Sequence, residues 1–142
     1  MKIHEMMTRT VFTVAPTDRL KEAAGLMRLH DVGVLPVIED NRVVGMLTDR
    51  DIVLRAVAED VDVRNVPVSE AMSVGSITVG EDQTVEEAAQ LMQQYQIRRM
   101  PVVSPDGKVT GIISLGDVAV DVHAGLAGEV IKEVSDPAMP LA

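Results

Sequence analysis

An internal repeat constrains the fold of this chain more than any other feature of its sequence. Residues 5–41 recur at an offset of 65 and residues 43–58 at an offset of 66, so one residue has been inserted in a turn. The matching stretches are EAAGLMRLHDVGVLPVIED with EAAQLMQQYQIRRMPVVSP, and VVGMLTDRDIV with VTGIISLGDVA. Two copies of one supersecondary unit must therefore fold within 142 residues, a length typical of one domain or of two small packed halves.

Hydrophobic spacing predicts the order β-α-β-β-α in each copy. A helix is indicated where apolar residues fall at positions i, i+3, i+4 and i+7, because such residues share one helix face. These residues are Leu20, Ala23, Ala24 and Met27 in the first copy and Val85, Ala88, Ala89 and Met92 in the second. The stretches VGVLPVI and IRRMPVV are short and β-branched, which predicts strands whose prolines belong at a sheet edge or a bulge. The predicted fold class is α/β, of the mixed α+β kind.

Turn and cap residues predict where these elements begin and end. Asp40-Asn41 and Pro105-Asp106-Gly107 predict tight turns into a second strand. Thr84 and Glu87 have capping-box spacing, whereas Arg19 stands at the matching position of the first helix, so Thr17 or Asp18 is expected to cap that helix. A second helix is predicted from about 49 to 58 and from about 115 to 124. Its apolar contacts are expected from Ile52, Leu54 to Val57, Val118 and Val122.

The predicted organisation is two motifs joined by a linker and followed by a tail. The first motif covers residues 1–60, the linker 61–68, the second motif 69–125, and a C-terminal helix and tail 126–142. The linker region is polar, with interspersed valines and a proline near its end. This composition predicts an ordered surface segment.

Composition excludes several classes of function. Without cysteine there are no disulfides or thiolate metal sites, and His4, His30 and His123 share no ligand-like spacing, so we assign no metal and expect surface histidines. A net charge of −9 and an aromatic content of 1% argue against nucleic-acid binding. No apolar stretch approaches the roughly 20 residues that cross a bilayer, and no signal region is visible. We expect a cytoplasmic protein without a membrane partner.

The candidate site is the junction between the second strand and the second helix of each copy. Both junctions have the pattern G-h-h-[ST]-x-x-D, in residues 45–51 and 111–117. A hydroxyl followed three residues later by a carboxylate is a capping box, which is a purely structural explanation. The same geometry suits a nucleotide, because the helix N-terminus and the hydroxyl favour a phosphate while the carboxylate accepts hydrogen bonds from ribose. Capping and binding are compatible.

These junctions and the hydrophobic-Pro-Val strands before them, Leu35-Pro36-Val37 and Met100-Pro101-Val102, resemble the CBS (cystathionine-β-synthase-type) domain family over nearly the whole chain. The chain is most similar to small stand-alone bacterial tandem CBS proteins (Bateman modules), including the hypoxic-response type, which also carry TDRD in the first junction. The resemblance implies two motifs packed with pseudo-twofold symmetry. It also implies two clefts, which in many members bind AMP, ATP or other adenosyl ligands, and commonly a homodimer.

The resemblance assigns residues to each cleft by position. Arg98-Arg99 replace Gly33-Val34 in the second copy, and guanidinium groups bind phosphate bidentately, so its cleft is favoured for AMP, ADP or ATP. Successive strand residues point to opposite faces, so one of these arginines is expected to face the cleft. The favoured cleft comprises Thr78, Val79, Arg98, Arg99, Met100, Pro101, Val102, Ser114 and Asp117. The second comprises Thr13, Val14, Val34, Pro36, Val37, Thr48 and Asp51. In both lists the apolar residues and backbone are expected to form walls for the base.

The second cleft departs from the first in charge. Asp49 stands beside the Thr48 hydroxyl, and Val34 takes the place of an arginine. This cleft is therefore expected either to be empty or to hold a less charged adenosyl group.

The resulting functional prediction is a regulatory module that senses an adenine nucleotide and acts on another protein chain. The sequence has no P-loop, no zinc-protease motif and no nucleophile elbow, so we predict no enzyme, no catalytic residue and no catalytic cofactor. The alternative is a CBS protein without a ligand, which acts through its dimer interface or its C-terminal tail.

Overall fold

The computed structural model describes residues 1–75 and 77–121, and the chain divides into two compact units. The continuous unit is Val11–Ser76, and the split unit joins Met1–Thr10 to the chain from Ile77 onward. Three predictions lie outside the described residues: the C-terminal helix and tail, the end of the last helix with Val122, and the placement of His123.

The continuous unit contains a three-stranded sheet and two helices. Its elements in chain order are α1 (Leu20–His30), β1 (Val34–Glu39), β2 (Arg42–Thr48), α2 (Asp49–Ile52) and β3 (Ser73–Val74). β2 is central and pairs antiparallel with both β1 and β3. On the other side of β1, Val14 forms a parallel bridge with Val37.

The split unit repeats this arrangement. Its elements in chain order are β4 (Val79–Gly80), α3 (Val85–Tyr95), β5 (Arg99–Val103), β6 (Val109–Ser114) and α4 (Leu115–Asp121). β5 is central, parallel to β4 and antiparallel to β6. Thr8 takes the place of β3, since its N–H and C=O both bond to the backbone of Ile112 at 2.9 Å. The predicted element order and the mixed fold class are confirmed.

The hairpin turns form at the predicted residues. Asp40 and Asn41 have φ values of 52° and 63°, as a two-residue type I′ turn requires. In the other hairpin, Gly107 has a φ of 88°. Its turn is closed by the Ser104 N–H, which donates to the Lys108 carbonyl at 2.9 Å.

The strand prolines were predicted at a sheet edge or a bulge, and the second alternative is confirmed because each proline lies next to a register shift. Pro101 is in the central strand β5, and Pro36 in β1 lies between β2 and Val14. The position tolerates proline because the flanking Val14 donates its N–H to the Pro36 carbonyl, at 3.1 Å, and requires no N–H in return.

The first helices of the two units start differently. In α3, Thr84 is the N-cap and its hydroxyl accepts the Glu87 N–H at 3.2 Å, as predicted. In α1 the N-cap is Arg19, so the prediction of a cap at Thr17 or Asp18 is wrong. The Asp18 carboxylate is engaged in a turn before the helix, which explains why it does not cap.

The second helix of the continuous unit buries less apolar surface than predicted. Ile52 and Ala56 are buried, but Leu54 and Val57 are 48% and 62% exposed. The chain continues after α2 as a five-residue π-helical turn, which changes the direction of side chains relative to an α-helix. The predicted contacts of Leu54 and Val57 are therefore wrong, whereas the predicted burial of Val118 is confirmed.

Each unit is completed by the segment that precedes the other copy of the repeat. Ile3 lies in the core of the split unit, and Val68, its counterpart at an offset of 65, lies in the core of the continuous unit. The Ile3 N–H donates to the Gln83 carbonyl at 2.9 Å, and the Val68 N–H to the Asp18 carbonyl at 2.7 Å. The compact units and the repeat therefore have different boundaries.

Gly45 and Gly111, the first residues of the two junction motifs, allow these segments to approach closely. A Cβ at residue 45 would lie 2.5 Å from the Ser73 carbonyl oxygen, and a Cβ at residue 111 would lie 2.9 Å from the Thr8 carbonyl oxygen. We expect Gly45→Ala to lower the free energy of unfolding by about 1–3 kcal/mol, because backbone must shift to admit the methyl group. Denaturant titration measures this change.

Gly25→Ala is the matched control for that prediction. Gly25 is an exposed residue of α1, and a Cβ there meets nothing within 4 Å. This substitution is expected to raise the free energy of unfolding by about 0.5–1 kcal/mol, since alanine favours a helix over glycine. Equal effects of the two substitutions would contradict the explanation given for Gly45.

Candidate functional site

The junction in each unit is closed by a reciprocal pair of hydrogen bonds. The Ser114 N–H donates to Asp117 Oδ2 at 2.9 Å, and the Asp117 N–H donates to Ser114 Oγ at 3.2 Å. Thr48 and Asp51 form the same pair, at 2.9 and 3.0 Å. The capping box is therefore confirmed at both junctions. It leaves one carboxylate oxygen, Oδ1, outside the box in each unit.

Backbone register places Arg98 and Arg99 at the junction of the split unit. Arg99 is the first residue of β5 and lies opposite Ser114 of β6. One residue earlier, the Arg98 carbonyl accepts the Leu115 N–H at 2.7 Å. The strand start and the helix start are thus held together at the residues that carry the positive charge.

The two guanidinium groups make this junction basic. Arg98 is half-buried and Arg99 is exposed. Among the described residues of the split unit, neither side chain has a carboxylate at ion-pair distance or a hydrogen-bond acceptor. With Asp117 as the acidic group of the motif, the charges of these side chains favour an anion.

The junction of the continuous unit has a different balance of charge. Val34, 9% exposed, lies opposite Thr48 where the split unit has Arg99. Asp49 adds a second carboxylate next to Asp51. Because residues 33 and 34 are glycine and valine, the start of β1 brings no positive charge to this junction for a phosphate.

Arg55 is a residue of this junction that the sequence analysis did not identify. Its Nε lies 4.0 Å from Asp51 Oδ1, and its Nη1 donates to the carbonyls of Ala71 and Met72, both at 3.1 Å. The i,i+4 spacing of Asp51 and Arg55 on one helix is a signal that the sequence contains. The ion pair engages the second oxygen of Asp51, whereas in the described part of the split unit no donor reaches the second oxygen of Asp117.

The apolar members of both candidate sites belong to the cores of their units. The buried members are Val14, Val34, Pro36, Val37, Val79, Met100, Pro101 and Val102. Thr13 and Thr78, which precede the short parallel strands, are exposed. The buried residues therefore have backbone groups rather than side chains to offer a ligand.

Histidines and acidic residues form no metal centre in residues 1–75 and 77–121, where no three His, Cys, Asp or Glu side chains group together. His30, which was expected on the surface, is half-buried, and its ring stacks on that of Phe12 with centroids 3.5 Å apart. No described helix is long and apolar enough to cross a membrane.

Known proteins resemble this chain over both copies of the repeat. The profile of the CBS domain matches residues 3–58 and 63–123. CBS domain-containing protein YhcV of Bacillus subtilis is 43% identical over 134 residues, which cover 94% of each chain. Hypoxic response protein 1 of Mycobacterium tuberculosis is 31% identical over 134 residues, covering 94% of this chain and 93% of the relative. Each alignment covers nearly the whole length of the relative.

Solved structures agree with this similarity. The CBS domain pair of protein MJ0100, in complex with 5′-methylthioadenosine and S-adenosyl-L-methionine, has a TM-score of 0.74 at 26% identity and covers 84% of this chain and 94% of that one. CBSX2 in complex with AMP has a TM-score of 0.72 at 28% identity and covers 90% and 98%. The residues that the CBS domain profile matches include both copies of the repeat. The chain therefore belongs to the CBS domain family.

Proposed function

We propose that this protein is a regulatory module that binds an adenine nucleotide, AMP, ADP or ATP, at the junction of the split unit. The observation that carries the proposal is the pair of guanidinium groups of Arg98 and Arg99, which have no acidic partner in the described part of that unit and lie beside Ser114 and Asp117. The ligand class is supported by the family, since MJ0100 was solved with adenosyl compounds and CBSX2 with AMP.

Each polar side chain has a distinct task in this proposal. The guanidinium group that faces the site binds phosphate oxygens through paired N–H donors, and the other adds positive charge to the junction. The Ser114 hydroxyl donates to a phosphate oxygen while its Oγ continues to accept the Asp117 N–H, because a hydroxyl is both donor and acceptor. Asp117 Oδ1, outside the capping box, accepts hydrogen bonds from the ribose hydroxyls. The cap and the ligand thus use different atoms of the same two residues.

Isothermal titration calorimetry with AMP, ADP, ATP, S-adenosylmethionine and NADH tests this function. We expect an adenine nucleotide to bind with an affinity that decreases as salt increases, because the site is electrostatic. Arg98→Ala combined with Arg99→Ala should weaken ATP binding by about 10–100-fold, since hydrogen bonds to charged groups are lost.

The matched control removes two exposed arginines that lie elsewhere, Arg28 of α1 and Arg42 of β2. Replacement of both with alanine lowers the net charge equally. An equal loss of ATP affinity in this control would assign the effect to overall charge and would contradict a specific site at Arg98 and Arg99.

A second candidate function, a ligand-free module that acts through a homodimer interface, is favoured by a different observation. Leu54, in the π-helical turn after α2, and Val120 of α4 occupy equivalent places in the repeat and are 48% and 79% exposed. Val53 and Val57 next to Leu54 are 53% and 62% exposed. Apolar patches of this kind mark interaction surfaces. A dimer in sedimentation experiments that gave no heat with any adenosyl ligand would favour this function over nucleotide binding.

A further inference from the structure

We infer that residues 33 and 49 together set the charge of the ligand at the junction of the continuous unit, and that this junction takes an adenosine derivative without net negative charge on its 5′ group. The inference rests on the proposed function and deepens it by naming the ligand class of the second site. The supporting position lies where the first strand starts and the second helix begins. The continuous unit has the carboxylate of Asp49 there, and the split unit has the guanidinium group of Arg98.

Backbone hydrogen bonds make this place equivalent in the two units. The Asp49 N–H donates to the Gly33 carbonyl at 3.0 Å, and the Leu115 N–H donates to the Arg98 carbonyl at 2.7 Å. The repeat relates residue 33 to 98 at an offset of 65 and residue 49 to 115 at an offset of 66. The two pairs of side chains can therefore be compared position by position.

The side chains fill this place differently. Leu115 is 6% exposed and lies in the core of the split unit, whereas Asp49 is exposed. A Cβ on Gly33 would lie 3.0 Å from Asp49 Oδ2 and 3.5 Å from Oδ1. The Asp49 carboxylate thus occupies the direction in which a side chain at residue 33 would extend. In the split unit, that direction belongs to Arg98.

The result is an inversion of charge beside the motif hydroxyl. The carboxylate of Asp49 is held in place by the Arg50 N–H, which donates to Oδ1 at 2.8 Å. A polyphosphate next to Thr48 would meet this carboxylate within a Debye length of about 8 Å, where salt screens repulsion only in part. A neutral or cationic 5′ group meets no such repulsion. A Cβ at residue 33 would require the Asp49 carboxylate to shift by a few tenths of an ångström, so glycine there gives the carboxylate room.

Asp49→Asn tests the inference because it removes the charge and retains an oxygen to accept the Arg50 N–H. The substitution is made in a Ser114→Ala/Asp117→Ala background, so that the split-unit junction does not contribute. Calorimetry at constant ionic strength should show the affinity for ATP rising about tenfold, as expected for loss of one nearby charge. The affinity for S-adenosylmethionine, a sulfonium cation, should fall, and that for adenosine should not change. Glu59→Gln, an exposed carboxylate in the same unit, is the control for net charge.

Gly33→Arg/Asp49→Leu in the same background copies the pair of the split unit and should prefer ATP over adenosine. Unchanged relative affinities for the three probes in both variants, or no binding at the continuous-unit junction, would overturn the inference and leave nucleotide binding at the split unit intact. The absence of heat with every adenosyl ligand in the unaltered protein would instead overturn the proposed function.

Discussion

Asp117→Asn is expected to weaken ATP binding at the split-unit junction by about 10–100-fold, because hydrogen bonds to a charged carboxylate are lost. The amide retains one oxygen, which can still accept the Ser114 N–H now bonded at 2.9 Å, so the helix cap should survive. It replaces the other oxygen with an NH₂ group, which cannot accept hydrogen bonds from ribose hydroxyls. Calorimetry measures the affinity, and denaturant titration shows whether the cap has been kept.

Asp51→Asn is the matched variant in the continuous unit. The second oxygen of Asp51 already faces Arg55 at 4.0 Å, and Val34 stands where the split unit has an arginine. ATP affinity should therefore change by less than about threefold, the size of a typical exposed ion-pair effect. Equal losses from the two substitutions would contradict the ranking of the junctions. A loss of stability but not of affinity with Asp117→Asn would assign that carboxylate to capping alone.

Ile3→Ala is expected to destabilise the split unit by about 2–5 kcal/mol, the usual cost of truncating a buried isoleucine. The Ile3 side chain has no exposed surface and packs in the core of the split unit. In the chain, however, Ile3 precedes α1 of the first copy and not α3 of the second. Hydrogen exchange should become at least about 30-fold faster at the amides of β5 and β6, which open with the destabilised unit. Exchange followed by mass spectrometry locates this change along the chain.

Val68→Ala is the matched control because Val68 takes the place of Ile3 in the continuous unit and is equally buried. Exchange should accelerate in β1 and β2, with a smaller effect because Val→Ala removes two side-chain carbons whereas Ile→Ala removes three. If Ile3→Ala instead accelerated exchange first in β1 and β2, the folding units would follow the repeat and not the crossed arrangement of the edge segments.

Local sequence patterns were sufficient to predict much of the fold and of the candidate site. The helical spacing around Met27 and Met92, the type I′ turn at Asp40-Asn41 and the cap at Thr84 all depend on residues within a few positions of one another. The junction boxes were predicted for the same reason, since the hydroxyl and the carboxylate are three residues apart. What the repeat determined by itself is therefore one folded motif, present twice, with a capped junction in each copy.

The tertiary structure alone decided which segments complete each motif and which side chains meet at its junction. Two copies with the same local pattern offer equivalent edges to Ile3 and to Val68, so the pattern cannot show which copy receives which segment. The entropy of loop closure depends only weakly on loop length, so nearness in the chain does not decide it either. The hydrogen bond from the Asp49 N–H to the Gly33 carbonyl likewise joins the end of β2 to the start of β1. That contact exists only after β1 and β2 have paired, although the charges of the residues at each junction are already visible in the sequence.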